Sequence, residues 1–310
     1  MTEIQRYLAE EVAEDHADGI ITRREAVRRL GLLGLGSAAA STLLAVPAAQ
    51  ARAHGSHGSH GGPSHDDGAV EEWAPIPTEA ITFPGPNGTL MAAFAAAAHP
   101  LGGVLVIHEN RGLVEHTRVV AGRFAAAGYS ALAIDLVSEE GGTAAIGDEA
   151  KVAAILASVP PERFDADMKA GVTELATRVP GKRLATIGFC FGGGMVWRLL
   201  AAGERRLSAA APFYGPFPEG GDLRGAKAAV LGIYGGLDTR VGATRPAAQA
   251  AIAAAHLKSR ILVFTEADHA FFNDTGARFN APAAAEAYRQ TLRWFKQFVA
   301  ARSRSHHPSA

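Results

Sequence analysis

Residues 184–195 constrain the fold of this chain more than any other stretch, because they join a strand pattern to a helix pattern through a glycine-rich turn. They read LATIGFCFGGGM. A strand that reverses into a helix within a few residues exposes the middle side chain of the turn, here Cys190, at the carboxyl end of the strand. Gly188 and Gly192 flank Cys190 where a Cβ atom would collide with the crossing backbone. We interpret the stretch as a nucleophile elbow in which a thiol replaces the usual serine hydroxyl.

Cys190 is the single cysteine of the chain, so an internal disulfide is excluded. In an elbow, the backbone N–H of Phe191 opens the following helix and faces the oxyanion that forms when the thiol attacks. Gly193 and Gly194 let that helix pack close to the sheet. The alternative interpretation is a small buried cysteine of the core, which free cysteines often are. The context of strand, turn and helix favours the elbow.

The chain from about residue 70 to residue 302 alternates strand and helix patterns. This alternation predicts one α/β domain with a mostly parallel sheet and helices on both faces. Segments 80–83 and 89–94 predict a hairpin at one sheet edge, because a turn rich in proline and glycine separates them. Continuous apolar runs predict buried strands at 103–107, 130–134, 184–187 and 229–233, and segments 208–211 and 261–264 are predicted to complete the sheet. Helical patterns cover 114–127, 164–178, 194–202, 245–255 and 283–300.

Ligands bind at the carboxyl ends of the strands in such sheets, and two loops there carry reactive groups. Asp238 and His269 each follow a predicted strand. With Cys190 they give the chain order nucleophile, acid, histidine that α/β-hydrolase scaffolds use. His269 can take the thiol proton, and Asp238 can hold the imidazole in the required tautomer. Taken singly, Asp238 could be a turn cap and His269 an ordinary loop histidine. Asp268 is the competing acid, but neighbouring loop residues seldom face one another.

A carboxylate also follows an early core strand, in the segment HENRGL at 108–113. Glu109 is either a charge at the start of a helix or a group that reaches into the site, where like-charge repulsion would disfavour a thiolate. Its position in a strand-end loop favours the second interpretation. The backbone N–H of Asn110 is then expected to complete the oxyanion hole with that of Phe191.

Composition excludes several classes of protein. The chain has 310 residues, of which 48% are hydrophobic and 20% charged, and its formal net charge is −1. Such a chain can bury one large core and is typical of a soluble globular protein. The balance of 30 basic and 31 acidic residues, with 7% aromatic residues, argues against a nucleic-acid partner. The number of subunits is not determined by these features.

The amino-terminal region, residues 1–53, has the layout of an export signal. Residues 1–20 carry a short amphipathic pattern, which we expect to form a solvated helix separate from the fold. Arg23 and Arg24, a modestly apolar stretch and a small-residue exit site follow, as in a twin-arginine signal. We therefore predict contact with the export machinery and a periplasmic or extracellular location. An uncleaved membrane anchor is the alternative.

Residues 54–69 form a linker rich in histidine, glycine and serine, and residues 303–310 form a polar tail. A linker rich in glycine and serine cannot form a hydrophobic core, which predicts a flexible tether. Closely spaced histidines could capture a divalent metal loosely. Composition favours the tether, so we predict no metal site.

Five segments together carry a resemblance to a known family. From about residue 75 to residue 299, the chain resembles the dienelactone hydrolase family, whose members are carboxymethylenebutenolidase-like α/β-hydrolases with a cysteine nucleophile. The segments are HENRG at 108–112, IDL at 134–136, GFCFGG at 188–193, GGLD at 235–238 and DHAF at 268–271. The cysteine elbow with this order of acid and histidine carries most of the resemblance.

The resemblance implies roles for individual residues. Cys190 would attack an ester or lactone carbonyl, His269 would act as base and then acid, and Asp238 would orient it. Glu109 would hold the resting thiol neutral until substrate displaces it. Water would then hydrolyse the thioester, and no cofactor would be needed.

The residues that would bind substrate depart from the family pattern. Members that cleave dienelactone hold its carboxylate with two arginines, and Glu139 and Asn273 stand at those places here. A glutamate repels the carboxylate that an arginine would attract. The resemblance therefore favours a small neutral or differently charged ester or lactone. Arg111 and Asn273 are the candidate substrate-binding residues, and Arg240 and Arg278 are further candidates to replace the arginines.

Two other classes of function stay open. One is a non-catalytic binding protein on an α/β-hydrolase fold, since fold does not imply function. The other is a metal-sequestering protein that uses the histidine-rich linker. A peptidase is disfavoured, because the chain lacks room for a large gating domain.

Overall fold

Eight strands form a single sheet in the computed structural model, which describes residues 1–45 and 74–300. In chain order they are β1 Glu79–Pro84, β2 Thr89–Ala95, β3 Gly102–Ile107, β4 Tyr129–Asp135, β5 Leu184–Phe189, β6 Leu207–Phe213, β7 Ala229–Gly235 and β8 Ser259–Phe264. Across the sheet the order is β1-β2-β4-β3-β5-β6-β7-β8. The β1–β2 and β2–β4 pairs are antiparallel, and the other pairs are parallel. The mostly parallel sheet and the edge hairpin are confirmed.

The helices pack around this sheet. They are α1 Glu3–Ala17, α2 Arg23–Leu32, α3 Ser37–Leu43, α4 Glu115–Ala126, α5 Thr143–Ile146, α6 Glu149–Ser158, α7 Pro161–Arg178, α8 Phe191–Ala201, α9 Thr239–Gly242, α10 Arg245–Ala254 and α11 Ala281–Phe298, with a 3₁₀ turn at Ser138–Glu140. All five predicted helices are present. Helix α6 was not predicted; Asp148 caps it by accepting the N–H of Ala150 at 2.9 Å.

The central strands explain why reactive groups collect at one edge of the sheet. Strands β3, β4, β5 and β7 are buried along their whole length, as their continuous apolar sequences predict. Since β3, β5, β7 and β8 run parallel, their carboxyl ends lie at the same edge. The loops that leave those ends carry Glu109, Cys190, Asp238 and His269.

Helices α1–α3 pack against the α/β domain, which differs from the expectation of a solvated helix separate from the fold. Tyr7, Leu8 and Val12 of α1 and Leu30 of α2 are buried in the same hydrophobic cluster as the sheet. Their helical spacing forms an apolar stripe, and this stripe faces the domain. Burial of the stripe accounts for the docking of a segment whose sequence alone resembles a detached signal.

Several predictions lie outside the described residues. The linker at 54–69, the exit site of the signal and the tail at 303–310 stay predictions, as do export and signal removal. Within 1–45 and 74–300, no helix combines the length and the apolar character needed to cross a membrane.

Candidate active site

Cys190 occupies the turn between β5 and α8 in a backbone conformation that few residues adopt, with φ 56° and ψ −119°. The turn is possible because glycines surround it. A Cβ atom on Gly188 would lie 2.2 Å from the carbonyl oxygen of Gly192, and one on Gly192 would lie 2.4 Å from that of Ile107. The steric need for glycine at both positions is therefore confirmed. Phe191 lies in the first turn of α8, where a backbone N–H has no acceptor within the helix.

His269 and Asp238 form a buried pair beside the elbow. Nδ1 of His269 lies 2.6 Å from Oδ2 of Asp238, and each residue is at most 2% exposed. The other carboxylate oxygen of Asp238 accepts the N–H of Val241 at 2.9 Å. Asp238 therefore caps α9 and holds the imidazole at the same time. Asp268 accepts the backbone N–H of His269 at 2.7 Å, so the competing acid binds the main chain of His269.

The charges of this pair stabilise each other. Burial opposes a charged carboxylate, but the charge of His269 and the hydrogen bond to it outweigh burial and lower the pKa of Asp238. Burial likewise opposes an imidazolium, but the charges of Asp238 and of an ionised Cys190, together with the hydrogen bond to Asp238, outweigh it and hold the pKa of His269 well above its usual value. Nε2 of His269 is buried and has no hydrogen-bond partner among the described residues.

The thiol of Cys190 contacts two residues of α1. It donates toward the carboxylate of Glu11, with distances of 3.3 and 3.4 Å to the two oxygens. The hydroxyl of Tyr7 lies 3.3 Å from the same sulfur. Burial, with a further contribution from the charge of Glu11, raises the pKa of Cys190 to about 11, although His269 opposes the shift. The thiol is therefore neutral at pH 7.

Glu109 reaches the site, but its carboxylate does not bind the thiol. Its Oε2 accepts a hydrogen bond from Nδ2 of Asn273 at 2.7 Å. Its Oε1 is buried without a hydrogen-bond partner among the described residues. The resemblance implied that Glu109 holds the resting thiol, whereas the carboxylate in contact with Cys190 is that of Glu11. The charge of Glu109 makes a smaller contribution to the raised pKa of Cys190.

His108 fixes the loop that carries Glu109 and Asn110. Its Nε2 accepts the N–H of Leu136 at 3.1 Å, so Nδ1 carries the proton and donates to the carbonyl of Glu109 at 2.6 Å. Burial lowers the pKa of His108, which keeps the ring neutral for both bonds. The loop is therefore fixed beside the elbow.

The candidate substrate-binding residues line one cleft with Cys190 and His269. Arg111 and Asn273 both lie there, and Arg111 also forms an ion pair with Glu149 at 3.5 Å. Arg278 lies on the same cleft and binds two carboxylates of α1. Glu139 instead forms an ion pair with Arg163 at 3.4 Å.

Three potential metal ligands converge in the same place. Single ligand atoms of Glu11, Cys190 and His269 lie within 4.8 Å of one another, and all three residues are buried. Thiolate, imidazole and carboxylate are the ligands that zinc prefers in proteins. A metal held there would occupy the sulfur and the imidazole together, so it would compete with any reaction at Cys190.

Sequence reasoning missed Tyr7, Glu11 and Tyr214. The ring of Tyr214 packs edge-on against that of His269, with centroids 5.3 Å apart. No motif marks Tyr214, which follows β6. The amphipathic pattern of residues 1–20 identified the helix that carries Tyr7 and Glu11, but a pattern of this kind does not specify the surface that it covers.

Comparisons with known proteins give a consistent result. Residues 89–299 match the model of the dienelactone hydrolase family. The chain is 32% identical over 247 residues to the "Putative carboxymethylenebutenolidase" of Escherichia coli O157:H7, which covers 75% of this chain and 89% of that protein. It is 30% identical over 237 residues to the protein of the same name in Methylorubrum extorquens, with coverage of 70% and 80%. The crystal structure of a "Putative Dienelactone Hydrolase" from Klebsiella pneumoniae has a TM-score of 0.63 and 28% identity, over 71% of this chain and 98% of that one. The matched family segment excludes α1–α3.

Proposed function

Because the chain belongs to the dienelactone hydrolase family, we propose that it hydrolyses a small ester or lactone through Cys190, His269 and Asp238. The observation that carries the proposal is the placement of three groups. The buried His269–Asp238 pair, with its 2.6 Å contact, lies beside a cysteine on a strained elbow. This is the arrangement that nucleophilic catalysis by a thiol requires.

The reaction begins when Nε2 of neutral His269 takes the proton of the Cys190 thiol. The sulfur attacks the carbonyl carbon, and the oxyanion that forms accepts hydrogen bonds from the backbone N–H groups of Phe191 and Asn110. Collapse of the tetrahedral intermediate expels the alcohol, which takes the proton from His269, and leaves a thioester on the sulfur. His269 then deprotonates water, which attacks the thioester; the C–S bond breaks, the acid is released, and the Cys190 thiolate takes the proton back from His269. Asp238 keeps the Nδ1 proton in place and stabilises the imidazolium in each half of the cycle.

Acylation of the protein tests this proposal. Incubation with a short-chain aryl ester, stopped with acid, is expected to add one acyl group to the wild-type protein and none to Cys190→Ala, as measured by intact-protein mass spectrometry. The thioester is expected on the peptide that contains Cys190. Ester cleavage by both proteins without acylation would contradict the mechanism, and the absence of both cleavage and acylation would favour a non-catalytic binding protein.

The charge of the substrate follows from the residues near the sulfur. Asn273 binds Glu109, and Glu139 binds Arg163, so neither takes the place of the arginines that bind a carboxylate in dienelactone-cleaving relatives. The buried carboxylate of Glu109 adds negative charge near the sulfur. We therefore propose a neutral ester or lactone as substrate. Turnover of dienelactone as fast as that of a matched neutral ester would contradict this part of the proposal.

We also propose that residues 1–53 direct export through the twin-arginine route. Arg23 and Arg24 are exposed and form no ion pair with any described residue, which supports their accessibility to a receptor. Replacing both with lysine is expected to keep the protein in the cytoplasm of an expressing bacterium, measured by cell fractionation. Arg28→Lys with Arg29→Lys, the same change five residues later, is the control and is expected to leave export intact. Equal export of both variants would contradict the proposal.

A further inference from the structure

The family match begins at residue 89, yet the thiol of Cys190 is covered by a helix that lies far outside it. Helix α1 places Tyr7 and Glu11 in contact with the sulfur, at 3.3 to 3.4 Å. From this geometry we propose that α1 is an intramolecular inhibitor, and that the hydrolase stays latent until α1 leaves the site. The inference rests on the proposed function for its effect on hydrolysis, but the cover itself can be tested independently.

The contacts of α1 bury the nucleophile. Cys190 is 2% exposed, and Tyr7 and Glu11 are themselves buried against it. Oε1 of Glu11 also accepts a hydrogen bond from the side chain of Asn110 at 3.0 Å. Glu11 therefore lies between the sulfur and the loop whose backbone would bind the oxyanion. An ester carbonyl that reached the sulfur would have to displace this carboxylate.

Two arginines of the α/β domain hold α1 in this position. Arg278 forms ion pairs with Asp15 at 2.8 Å and Asp18 at 2.6 Å. Arg240 forms an ion pair with Glu14 at 3.1 Å. The guanidinium of Arg240 also lies over the ring of Tyr7, 4.6 Å from its centroid. Because Arg240 and Arg278 are largely buried, these pairs are less screened by solvent than ordinary surface pairs.

The neighbouring helices reinforce the cover. The carbonyl of Leu33, just after α2, accepts a hydrogen bond from the side chain of Gln5 at 2.5 Å. Arg28 of α2 forms an ion pair with Asp148 at 3.1 Å, which ties α2 to the α/β domain. The exposed pair Arg23 and Arg24 lies in the same amino-terminal segment as α1. This segment therefore presents an export signal while it closes the active site, and removal of the signal would also remove the inhibitor.

The charge of Glu11 supports the same conclusion. Burial raises the pKa of Glu11 itself, but while its carboxylate is charged it favours the neutral thiol at Cys190 and interacts favourably with a charged His269. A neutral thiol is a poor nucleophile, so the docked carboxylate opposes formation of the thiolate that attacks the substrate. Departure of Glu11 removes this effect at the same time as it opens the cleft.

The test reverses the charges that hold α1 in the full-length chain. In Asp15→Lys with Asp18→Lys, two lysines face Arg278, so α1 is expected to undock. The control, Glu10→Lys with Glu79→Lys, makes the same charge change at two residues whose side chains form no hydrogen bond or ion pair with any described residue. Both variants are compared with wild type by alkylation of Cys190 with iodoacetamide and by hydrolysis of a neutral aryl ester. Thermal unfolding checks that each variant is folded.

We expect alkylation and kcat/KM to rise at least about tenfold in the undocked variant and to stay near wild type in the control. A synthetic peptide of residues 1–20, added to the undocked variant, is expected to slow both reactions again, and the same peptide with the two lysines is not. An unchanged rate of Cys190 alkylation in the folded Asp15→Lys, Asp18→Lys variant would overturn the proposal that α1 covers the thiol. Faster alkylation without Cys190-dependent hydrolysis would overturn the proposed function and leave the cover in place.

Discussion

Asp238→Asn is expected to lower kcat for ester hydrolysis by about 10⁴-fold, because it forces the wrong tautomer on His269. One oxygen of Asp238 accepts the N–H of Val241, and the other faces Nδ1 of His269. An asparagine must keep its amide oxygen toward Val241, since the amide nitrogen cannot accept that bond. The amide nitrogen then faces Nδ1 and donates to it, which moves the imidazole proton to Nε2. A protonated Nε2 cannot take the thiol proton.

Asp268→Asn is the matched control for this prediction. The carboxylate of Asp268 accepts the backbone N–H of His269, and an asparagine oxygen can accept the same bond. We expect kcat to change by less than about threefold, which corresponds to less than 1 kcal/mol of transition-state stabilisation. Stopped-flow measurement of acylation in both variants separates the chemical step from later steps. A similar loss of kcat in the two variants would mean that Asp238 contributes no more than the nearby negative charge of Asp268.

The positions of the three groups of the proposed triad could be predicted from the sequence because they depend on local chain geometry and on the order of parallel strands. A strand, a turn flanked by glycines and a helix are all encoded within twelve residues around Cys190. Asp238 and His269 follow from the rule that parallel strands present their carboxyl ends together. The contact between Asp238 and His269 then needs only neighbouring strands, and β7 and β8 are neighbours.

The contacts of Glu11 and Glu109 could not be predicted in the same way. Glu11 and Cys190 are 179 positions apart, and no periodicity links the amphipathic stripe of α1 to the cleft that it covers. Glu109 lies on the same cleft as Cys190, but its partner Asn273 is 164 positions away on another loop. Which of two nearby carboxylates binds the thiol depends on packing between distant segments. Sequence patterns describe the faces of an element, whereas the choice between competing partners is made by the assembled structure.

Gly192→Ala is expected to reduce stability by about 3 kcal/mol or more, since over-packing against backbone leaves nothing flexible to move aside. A Cβ atom there would lie 2.4 Å from the carbonyl oxygen of Ile107 and 2.5 Å from that of His108. Both carbonyls belong to the end of β3 and the loop that follows it. Any relief must move this backbone or the start of α8, and the second shift also displaces Cys190. Ester hydrolysis is therefore expected to fall together with the midpoint of chemical unfolding.

Gly31→Ala separates this steric effect from the general preference of helices for alanine. Gly31 lies within α2, and nothing would lie within 4 Å of a Cβ atom placed on it. The substitution is expected to raise stability by about 0.5 to 1 kcal/mol, because alanine loses less backbone entropy on folding than glycine. Denaturant unfolding measures the free energy of unfolding of both variants. It thus compares a glycine with free space around its Cβ position, Gly31, with one packed against backbone, Gly192. If Gly192→Ala were as stable as Gly31→Ala, the elbow would not need glycine for the close approach of β3 and α8. The strained backbone conformation of Cys190 would then have to be maintained by α8 alone.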